Sequence, residues 1–241
     1  MLGARGMLGL IVPSNNSVVL PEFYSVLPQG VTACETRMRV EGVLTIEAVR
    51  KMIDDAQAAA ELLRQTSVDF ICYCCMASTI VQGWQWERQL LESFSAKAPK
   101  GIASANSALK DALIEIGAKR LALVTPYPES LNALLGEFFA AGGFEIKAVA
   151  GIAVHEVAAV RALAPERIRA AACSLDRKNV DALCLLATDM HTFSIIDAIE
   201  HDLGMPVLSS NQALLWAGLR ALGIDDPVEG VGRLLRHRRV G

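Results

Sequence analysis

The stretch that decides the fold runs from Val68 to Met76 and reads VDFICYCCM. A second stretch, from Val180 to Thr188, reads VDALCLLAT and begins with the same Val-Asp pair, 112 residues later. Both have a Cys four residues after the Val, and both are continuously apolar, as buried strands of parallel sheets are. In this alignment Cys75 corresponds to Ala187, so one half ends in a thiol where the other half ends in a methyl group.

The repeat extends beyond these two strands. Residues 101–109 (GIASANSAL) are similar to residues 206–214 (PVLSSNQAL), and each passes through Ser-x-Asn into an amphipathic pattern. Residues 10–14 (LIVPS) pair with residues 123–127 (LVTPY), each an apolar run that ends at a proline. Three matched pieces in similar order predict two similar α/β lobes.

Short apolar runs alternate with longer helical patterns along the whole chain. The strands are predicted at Leu8–Val12, Thr32–Arg37, Phe70–Cys74, Leu121–Val124, Phe144–Val149, Ala182–Leu186 and Pro206–Leu208. The helices are predicted at Thr45–Arg64, Gln85–Phe94, Ser107–Ile116, Glu129–Ala141, Pro165–Leu175, Ser194–Asp202 and Gln212–Leu222.

This order predicts an α/β protein with two pseudo-symmetric lobes, each a parallel sheet flanked by helices. We place residues 1–100 and 205–241 in the N-terminal lobe and residues 101–204 in the second. Ligands of parallel sheets bind outside the carboxyl ends of the strands, so the active site is expected in the cleft between the lobes.

Composition limits the classes of function. The chain has 241 residues, 52% of them hydrophobic, with a mean hydropathy of +0.34 and a net charge of −3. No apolar run reaches the ~20 residues of a membrane helix, and the first residues do not read as a secretory signal, so a cytoplasmic protein without a membrane partner is expected. The basic cluster at residues 236–239 (RHRR) is interpreted as a solvated tail, and no nucleic-acid partner is expected.

The six cysteines are interpreted as reduced thiols rather than a disulfide framework. Cys34, Cys173 and Cys184 have the character of small core residues. Cys72 and Cys75 form a C-x-x-C pair, but no second Cys/His cluster completes a tetrahedral site, so no metal is expected.

Three motifs resemble those of a known family: residues 12–17 (VPSNNS), residues 125–127 (TPY) and residues 204–216 (GMPVLSSNQALLW). With them the chain resembles the aspartate/glutamate racemase superfamily, and within it the branch of maleate cis–trans isomerase and arylmalonate decarboxylase. The resemblance covers nearly the whole chain. It implies an enzyme that needs no metal or organic cofactor and that acts on a small carboxylate.

The resemblance also implies a catalytic Cys at each pseudo-symmetric tip. Residues 75–78 (CMAS) match the first tip, which usually reads Cys-Thr-Ser-Gly, and residues 187–192 (ATDMHT) match the second, which usually reads Cys-Thr-Asn-x-Arg-Thr. Isomerases and racemases keep both thiols, and arylmalonate decarboxylase keeps the second. This chain has only the first, Cys75, with Ala187 at the position of the other.

A thiol at a strand tip beside a helix N-terminus is expected to have a lowered pKa and a stabilised thiolate. A thiolate suits conjugate addition to an electron-poor alkene, which would allow bond rotation and cis–trans isomerisation. The substrate-binding candidates are Ser14, Asn16, Met76, Thr79, Tyr127, His155, Thr188 and Asp189. Ser209, Ser210 and Asn211 are interpreted chiefly as the N-cap of the following helix.

Three explanations of Ala187 stay open: an engineered Cys-to-Ala change, a natural residue with His191, Asp189 or water supplying the proton, or a reaction that needs one thiol. Three functions are accordingly expected as alternatives. The first is a cis–trans isomerase of a maleate-type dicarboxylate, which Ala187 either disables or leaves active. The second is a decarboxylase or racemase with Cys75 as the sole proton donor, and the third is a catalytically silent carboxylate-binding protein. A homo-oligomer is expected, and the Trp84–Trp86 segment suits either a subunit contact or the core.

Overall fold

The computed structural model describes residues 3–40 and 42–236, and these form two four-stranded sheets. The first sheet contains β1 (Gly6–Pro13), β2 (Val31–Met38), β3 (Phe70–Tyr73) and β4 (Ile102–Ser104), in the order β2-β1-β3-β4. The second contains β5 (Arg120–Thr125), β6 (Glu145–Gly151), β7 (Ala182–Leu185) and β8 (Val207–Ser209), in the order β6-β5-β7-β8. All strands pair in parallel, so the predicted architecture of two pseudo-symmetric α/β lobes is confirmed.

Helices connect the strands in both lobes. They are α1 (Val19–Val26), α2 (Ile46–Ile53), α3 (Ala56–Thr66), α4 (Met76–Phe94), α5 (Ala105–Glu115), α6 (Glu129–Asn132), α7 (Leu135–Ala141), α8 (Pro165–Ser174), α9 (Phe193–Leu203), α10 (Ser210–Ala221) and α11 (Arg233–Arg236). A 3-10 segment, Val157–Ala162, precedes α8.

The repeated Val-Asp pair has the same structural role in each lobe. Asp69 accepts a hydrogen bond from the Met7 N–H at the start of β1, at 2.8 Å. Asp181 accepts one from the Arg120 N–H at the start of β5, also at 2.8 Å. Each carboxylate therefore fixes the entry of the central strand beside it, while the valine of the pair packs into the apolar core or against it.

The shared strand order positions the functional region. In each sheet the chain moves to one side after the first strand and then crosses to the other, which opens a crevice between β1 and β3 and between β5 and β7. Such crevices, at the carboxyl ends of the strands, are the usual ligand sites of parallel sheets. Cys75 and Ala187 follow β3 and β7 and thus lie at equivalent crevices.

The sheets divide the chain a few residues later than the predicted boundaries at 100/101 and 204/205. Strand β4 (residues 102–104) pairs with β3 in the first sheet, and β8 (residues 207–209) pairs with β7 in the second. The reason is that each lobe closes with a short fourth strand. After β8 the chain returns to the first lobe, where α10 packs against α5, β3 and β4.

Several helical regions differ from the prediction. Helix α1 was not predicted because it is short and has Pro21 in its first turn, a position where proline is tolerated. The predicted helices 45–64 and 129–141 are each broken into two. At both breaks the residues keep right-handed helical angles, so the periodic pattern continues across them.

Helix α4 begins at Met76 rather than at the predicted residue 85. Gly83, with φ +83° and ψ 169°, interrupts it, and the sequence pattern detected only the part after this break. The first part, residues 76–82, leads directly out of the β3 tip.

The Trp84 indole belongs to the packing between the lobes' helices. It stacks on Phe138 with ring centroids 4.5 Å apart and donates a hydrogen bond to the Phe138 carbonyl at 2.7 Å. Between residues 3 and 236, leaving out residue 41, no helix has the length and apolar character to cross a membrane. The basic cluster at 236–239 lies outside the described residues except for Arg236.

Candidate active site

Cys75 lies at the junction of β3 and α4, as the residue that precedes the first helical turn. Its backbone is extended, with φ −142° and ψ 109°, and the residue is only 5% exposed. The N–H groups of Ala77 and Ser78 and the Ser78 hydroxyl favour its thiolate. The strand-to-helix turn thus presents hydrogen-bond donors to the thiol, as the sequence predicted.

The predicted lowering of the Cys75 pKa is nevertheless wrong. Burial raises the pKa of the Cys75 thiol, and the charge of Asp189 acts in the same direction, against the hydrogen bonds from Ser78 and Ala77. Loss of hydration outweighs the helix terminus in this closed site. At neutral pH Cys75 is therefore a protonated thiol, and it needs a base when it reacts.

The two tips meet, as the repeat predicted. The Thr188 hydroxyl donates to the Cys74 carbonyl at 2.8 Å, and the Asn16 amide donates to the Thr188 hydroxyl at 3.2 Å. Two equivalent asparagines fix the tips from behind, since Asn106 donates to the Met76 carbonyl and Asn211 to the Thr188 carbonyl, both at 3.0 Å. The duplicated chain therefore uses one hydrogen-bond design twice.

Ala187 has a strained backbone. Its φ is +111°, in the region that favours glycine, and its N–H donates to the Ser210 hydroxyl at 3.1 Å. The Ser210 hydroxyl in turn lies 2.7 Å from the Met76 sulfur in the other lobe. A conformation of this kind costs about 1–3 kcal/mol and persists where the surroundings impose it, which is common at functional sites.

Replacing Ala187 with glycine is expected to stabilise the protein by about 1 kcal/mol, because glycine adopts positive φ without steric cost. Thermal unfolding measures this as a raised Tm. Ala122→Gly is the matched control, since Ala122 is buried in β5 and is not among the positive-φ residues, and it should lower Tm. A lower Tm for Ala187→Gly as well would contradict the strain at this position.

A cavity of about 50 Å³ lies beside Cys75, between the lobes. Its polar lining residues are Asn15, Cys75, Tyr127, Thr188 and Asp189. Its apolar lining residues are Pro13, Val40, Leu44, Val49, Met52, Met76, Ala77, Val157 and Val160. This volume admits only a small molecule.

A bridge between the lobes forms part of the cavity wall. The Leu44 N–H donates to the His155 carbonyl at 2.8 Å, and the Val157 N–H donates to the Gly42 carbonyl at 3.0 Å. Val43 and Glu156 form an isolated antiparallel bridge in the same place. The segments before α2 and before α8 are thereby held together over the site.

The structure brings five of the predicted site residues to the cavity, namely Cys75, Met76, Tyr127, Thr188 and Asp189. The other five lie outside its lining: Ser14, Asn16, Thr79, His155 and Ala187.

The partners of the outlying residues explain their positions. The Ser14 hydroxyl joins β1 to Val40, and the Asn16 side chain caps α1 through the Val18 and Val19 N–H groups. Thr79 is fully buried within α4, where its hydroxyl donates to the Met76 carbonyl and accepts from the Asn106 amide, and His155 is exposed. Asn16 also contacts the Thr188 hydroxyl where the tips meet, but none of these four residues lines the cavity.

Sequence reasoning missed Asn15 and most of the apolar wall. Asn15 adjoins the predicted Asn16, and nothing in two consecutive asparagines shows which one faces the cleft. The wall residues of the α2 region and of the 3-10 segment 157–162 are apolar positions in amphipathic patterns, which read the same whether they face a core or a cavity.

Asp189 is the acidic group of the cavity. Burial raises its pKa to about 6, and its side-chain hydrogen bond comes from the Asn15 amide at 3.4 Å. Burial also raises the pKa of Tyr127, to which Cys75 and Asp189 contribute. None of the described residues that line the cavity is a lysine, arginine or histidine, and His191 is exposed.

The fold and the site define a class: a two-lobed parallel α/β protein. One buried thiol and one carboxyl group face a small cleft between its lobes. Within the described part of the chain, no group of three or more His, Cys, Asp or Glu side chains could hold a metal ion. The chain belongs to the arylmalonate decarboxylase family, whose model matches residues 8–235.

Similar proteins agree with this assignment. The maleate isomerase of Nocardia farcinica is 33% identical over 248 residues, which cover 95% of each chain. A Cys-to-Ala variant of the maleate isomerase Iso from Pseudomonas putida S16, solved with maleate, has a TM-score of 0.91 at 29% identity and covers 96% and 97% of the two chains.

A Cys-to-Ser variant of the Nocardia farcinica maleate cis–trans isomerase, with a covalently bound succinylcysteine intermediate, has a TM-score of 0.89 at 30% identity. That similarity covers 96% of this chain and 98% of the other. The predicted resemblance to the branch of maleate isomerase and arylmalonate decarboxylase is confirmed.

Proposed function

We propose that the protein is a cofactor-independent cis–trans isomerase of a small unsaturated dicarboxylate of the maleate type, acting through a thiolate adduct on Cys75. The observation that carries this proposal is the thiol itself, which opens onto a small cleft between the lobes beside hydrogen-bond donors. Its relatives named maleate isomerase, and the succinylcysteine bound to one of them, support the same chemistry.

The reaction begins when the Cys75 sulfur adds to one alkene carbon. The electron pair of the double bond moves toward the carboxylate at the other carbon, which becomes an enediolate. The former double bond is now single and rotates. The enediolate carbon takes up the thiol proton, which gives a succinyl group on Cys75. Loss of that proton then restores the double bond in the trans form, breaks the C–S bond and returns the proton to the sulfur.

Neutral donors in the cavity suit the developing charge. Asn15 and Tyr127 line the space beside Cys75, and burial keeps Tyr127 protonated. Fixed donors in a site of low polarity stabilise an oxyanion more than mobile water does. The Tyr127 backbone is held by Thr125 and Asn132, so its ring has a defined position.

A second candidate is decarboxylation of a substituted malonate with Cys75 as proton donor. The apolar wall favours it, because an apolar substituent would pack against Val40, Leu44 and Val160. A decarboxylase of this type protonates an enediolate from one face, and one thiol is sufficient.

Incubation of the wild-type chain with maleate distinguishes these candidates. The isomerase proposal predicts fumarate by NMR and, on quenching, a mass increase of one maleate on a Cys75 peptide. Carbon dioxide release from phenylmalonate, without fumarate from maleate, would support the decarboxylase instead. Fumarate formation by Ala187→Cys but not by the wild-type chain would identify Ala187 as disabling, and binding without chemistry in both would leave a carboxylate-binding protein. A cytoplasmic homo-oligomer remains a prediction.

A further inference from the structure

Two titratable groups, one from each lobe, line the same cavity. Cys75 comes from the β3 tip of the first lobe and Asp189 from the β7 tip of the second, and both line the same space of about 50 Å³. Asp189 accepts a long hydrogen bond, 3.4 Å, from Asn15, and its own backbone N–H also favours the charged form. Among the described residues its carboxyl group forms no salt bridge, unlike that of Asp181, which binds Arg120 at 2.5 Å.

We infer that Asp189 is the proton-transferring residue of this site and takes the place of the thiol that Ala187 lacks. This inference rests on the proposed isomerase function. Asp189 would accept the thiol proton of Cys75 as the C–S bond forms and deliver it to the neighbouring carbon of the substrate. With Asp189 in this role, the reaction needs only one thiol and no second cysteine.

The proton balance closes within the site. The Asp189 carboxylate takes the proton from the Cys75 thiol while the sulfur adds to the alkene carbon, and the double-bond electrons move into the substrate carboxylate at the other carbon, which becomes an enediolate. The Asp189 carboxyl group then protonates that carbon, which gives a succinyl group on Cys75. After rotation Asp189 removes a proton from the same carbon, the double bond forms again, and the leaving sulfur takes that proton back.

The pKa shifts of Cys75 and Asp189 fit these roles. Burial raises the pKa of Cys75, so the thiol holds its proton at neutral pH, and burial raises the pKa of Asp189 to about 6. A group that titrates near the working pH is both an effective base and an effective acid. The other nearby groups are unsuitable, because burial keeps Tyr127 protonated and His191 is exposed.

Few charged or titratable groups surround the Asp189 carboxyl group. Cys75 and Tyr127 face it across the cavity, and Asn15 faces it from the loop after β1. Behind that loop, Arg161 donates to the Asn15 carbonyl at 3.2 Å, and Arg37 donates to the Asn16 carbonyl at 2.8 Å. Both guanidinium groups donate to carbonyls of this loop, and among the described residues neither forms a salt bridge with Asp189.

The test compares the wild-type chain with Asp189→Asn. The amide keeps the shape of the side chain but cannot accept and release a proton. We expect kcat for maleate to fall by about 10²–10⁴-fold with KM changed by only a few fold. The wild-type pH profile of kcat, which reports groups of the enzyme–substrate complex, should rise with a midpoint near pH 6, and this ascending limb should be absent in the variant. Asp54→Asn is the control, because Asp54 is exposed at the end of α2, and its kcat should equal that of the wild-type chain.

The inference is overturned if Asp189→Asn keeps kcat within about threefold of wild type, far from the loss expected of an acid–base residue. A variant that keeps the limb near pH 6 overturns it equally. If thermal unfolding shows that Asp189→Asn does not fold, the wild-type profile decides, since a flat profile across this range contradicts the role of Asp189. Failure of the wild-type chain to form any fumarate is a different result and rejects the proposed function itself.

Discussion

Replacing Cys75 with serine is expected to lower kcat/KM for maleate by about a thousandfold or more, the scale seen when a nucleophile is removed. A serine hydroxyl is a far weaker nucleophile than a thiol toward an electron-poor alkene, so it forms no covalent adduct with the substrate at neutral pH. The donors around residue 75, from Ala77 and Ser78, stabilise a sulfur anion but cannot supply the missing nucleophilicity. Steady-state formation of fumarate measures the loss, and intact mass after quenching should show no adduct.

Cys173→Ser is the matched control, because Cys173 is exposed on α8, contrary to the core position predicted for it, and is not among the residues that line the cavity. It should keep full activity. Iodoacetamide should modify Cys173 first and Cys75 slowly, since Cys75 is buried and its pKa is raised. A Cys75→Ser variant with activity near wild type would show that another group attacks the substrate.

The sequence predicted the architecture because the duplication repeats short features that determine it. The Val-Asp pairs at 68 and 180, the prolines at 13 and 126 and the Ser-x-Asn segments mark equivalent strand ends in both lobes. Strand ends at a shared edge of parallel sheets predict a site, and the contact from Thr188 to the Cys74 carbonyl joins the two tips. The role of the asparagines in these segments could be seen only in the fold, where they donate hydrogen bonds to carbonyls of the two tips.

The candidate site was only half predictable. Residues directly after a buried strand, such as Cys75 and Asp189, were found because chain direction alone places them at the cleft. The residues of the opposite wall, such as Val49 and Val160, come from segments far away in sequence that fold over the cleft. The sign of the Cys75 pKa shift was missed because it depends on how completely these walls exclude water, and no local motif records that.

Glu22, a buried carboxylate of α1, contributes to the connection between the lobes. Its Oε1 accepts hydrogen bonds from the N–H groups of Thr192 and Phe193, at 2.6 and 2.9 Å, and its Oε2 accepts one from the Asn211 amide at 2.6 Å. Thr192 makes no side-chain cap at the start of α9, so a residue of the other lobe caps this helix. Through Asn211, the same carboxylate fixes the Thr188 carbonyl beside the cavity.

Replacing Glu22 with alanine is expected to lower the free energy of unfolding by about 3 kcal/mol or more, because three buried donors lose their acceptor at about 1–3 kcal/mol each. Glu22→Gln should cost less. One oxygen can still accept from Thr192 and Phe193, but the new amide faces the Asn211 amide, donor against donor. Urea unfolding measures both variants, and kcat should fall with them as the 187–192 loop loses its support.

Glu92→Ala provides the comparison, because Glu92 is exposed on α4 and a surface substitution of this kind changes stability by about 0.5 kcal/mol at most. If Glu22→Ala unfolds at the same urea concentration as wild type, the buried carboxylate does not hold the lobes together. Equal stability of Glu22→Gln and Glu22→Ala would show that capping of α9 contributes nothing. A graded loss, with alanine below glutamine, is the result that the three hydrogen bonds require, since glutamine keeps those to the α9 terminus and loses the one to Asn211.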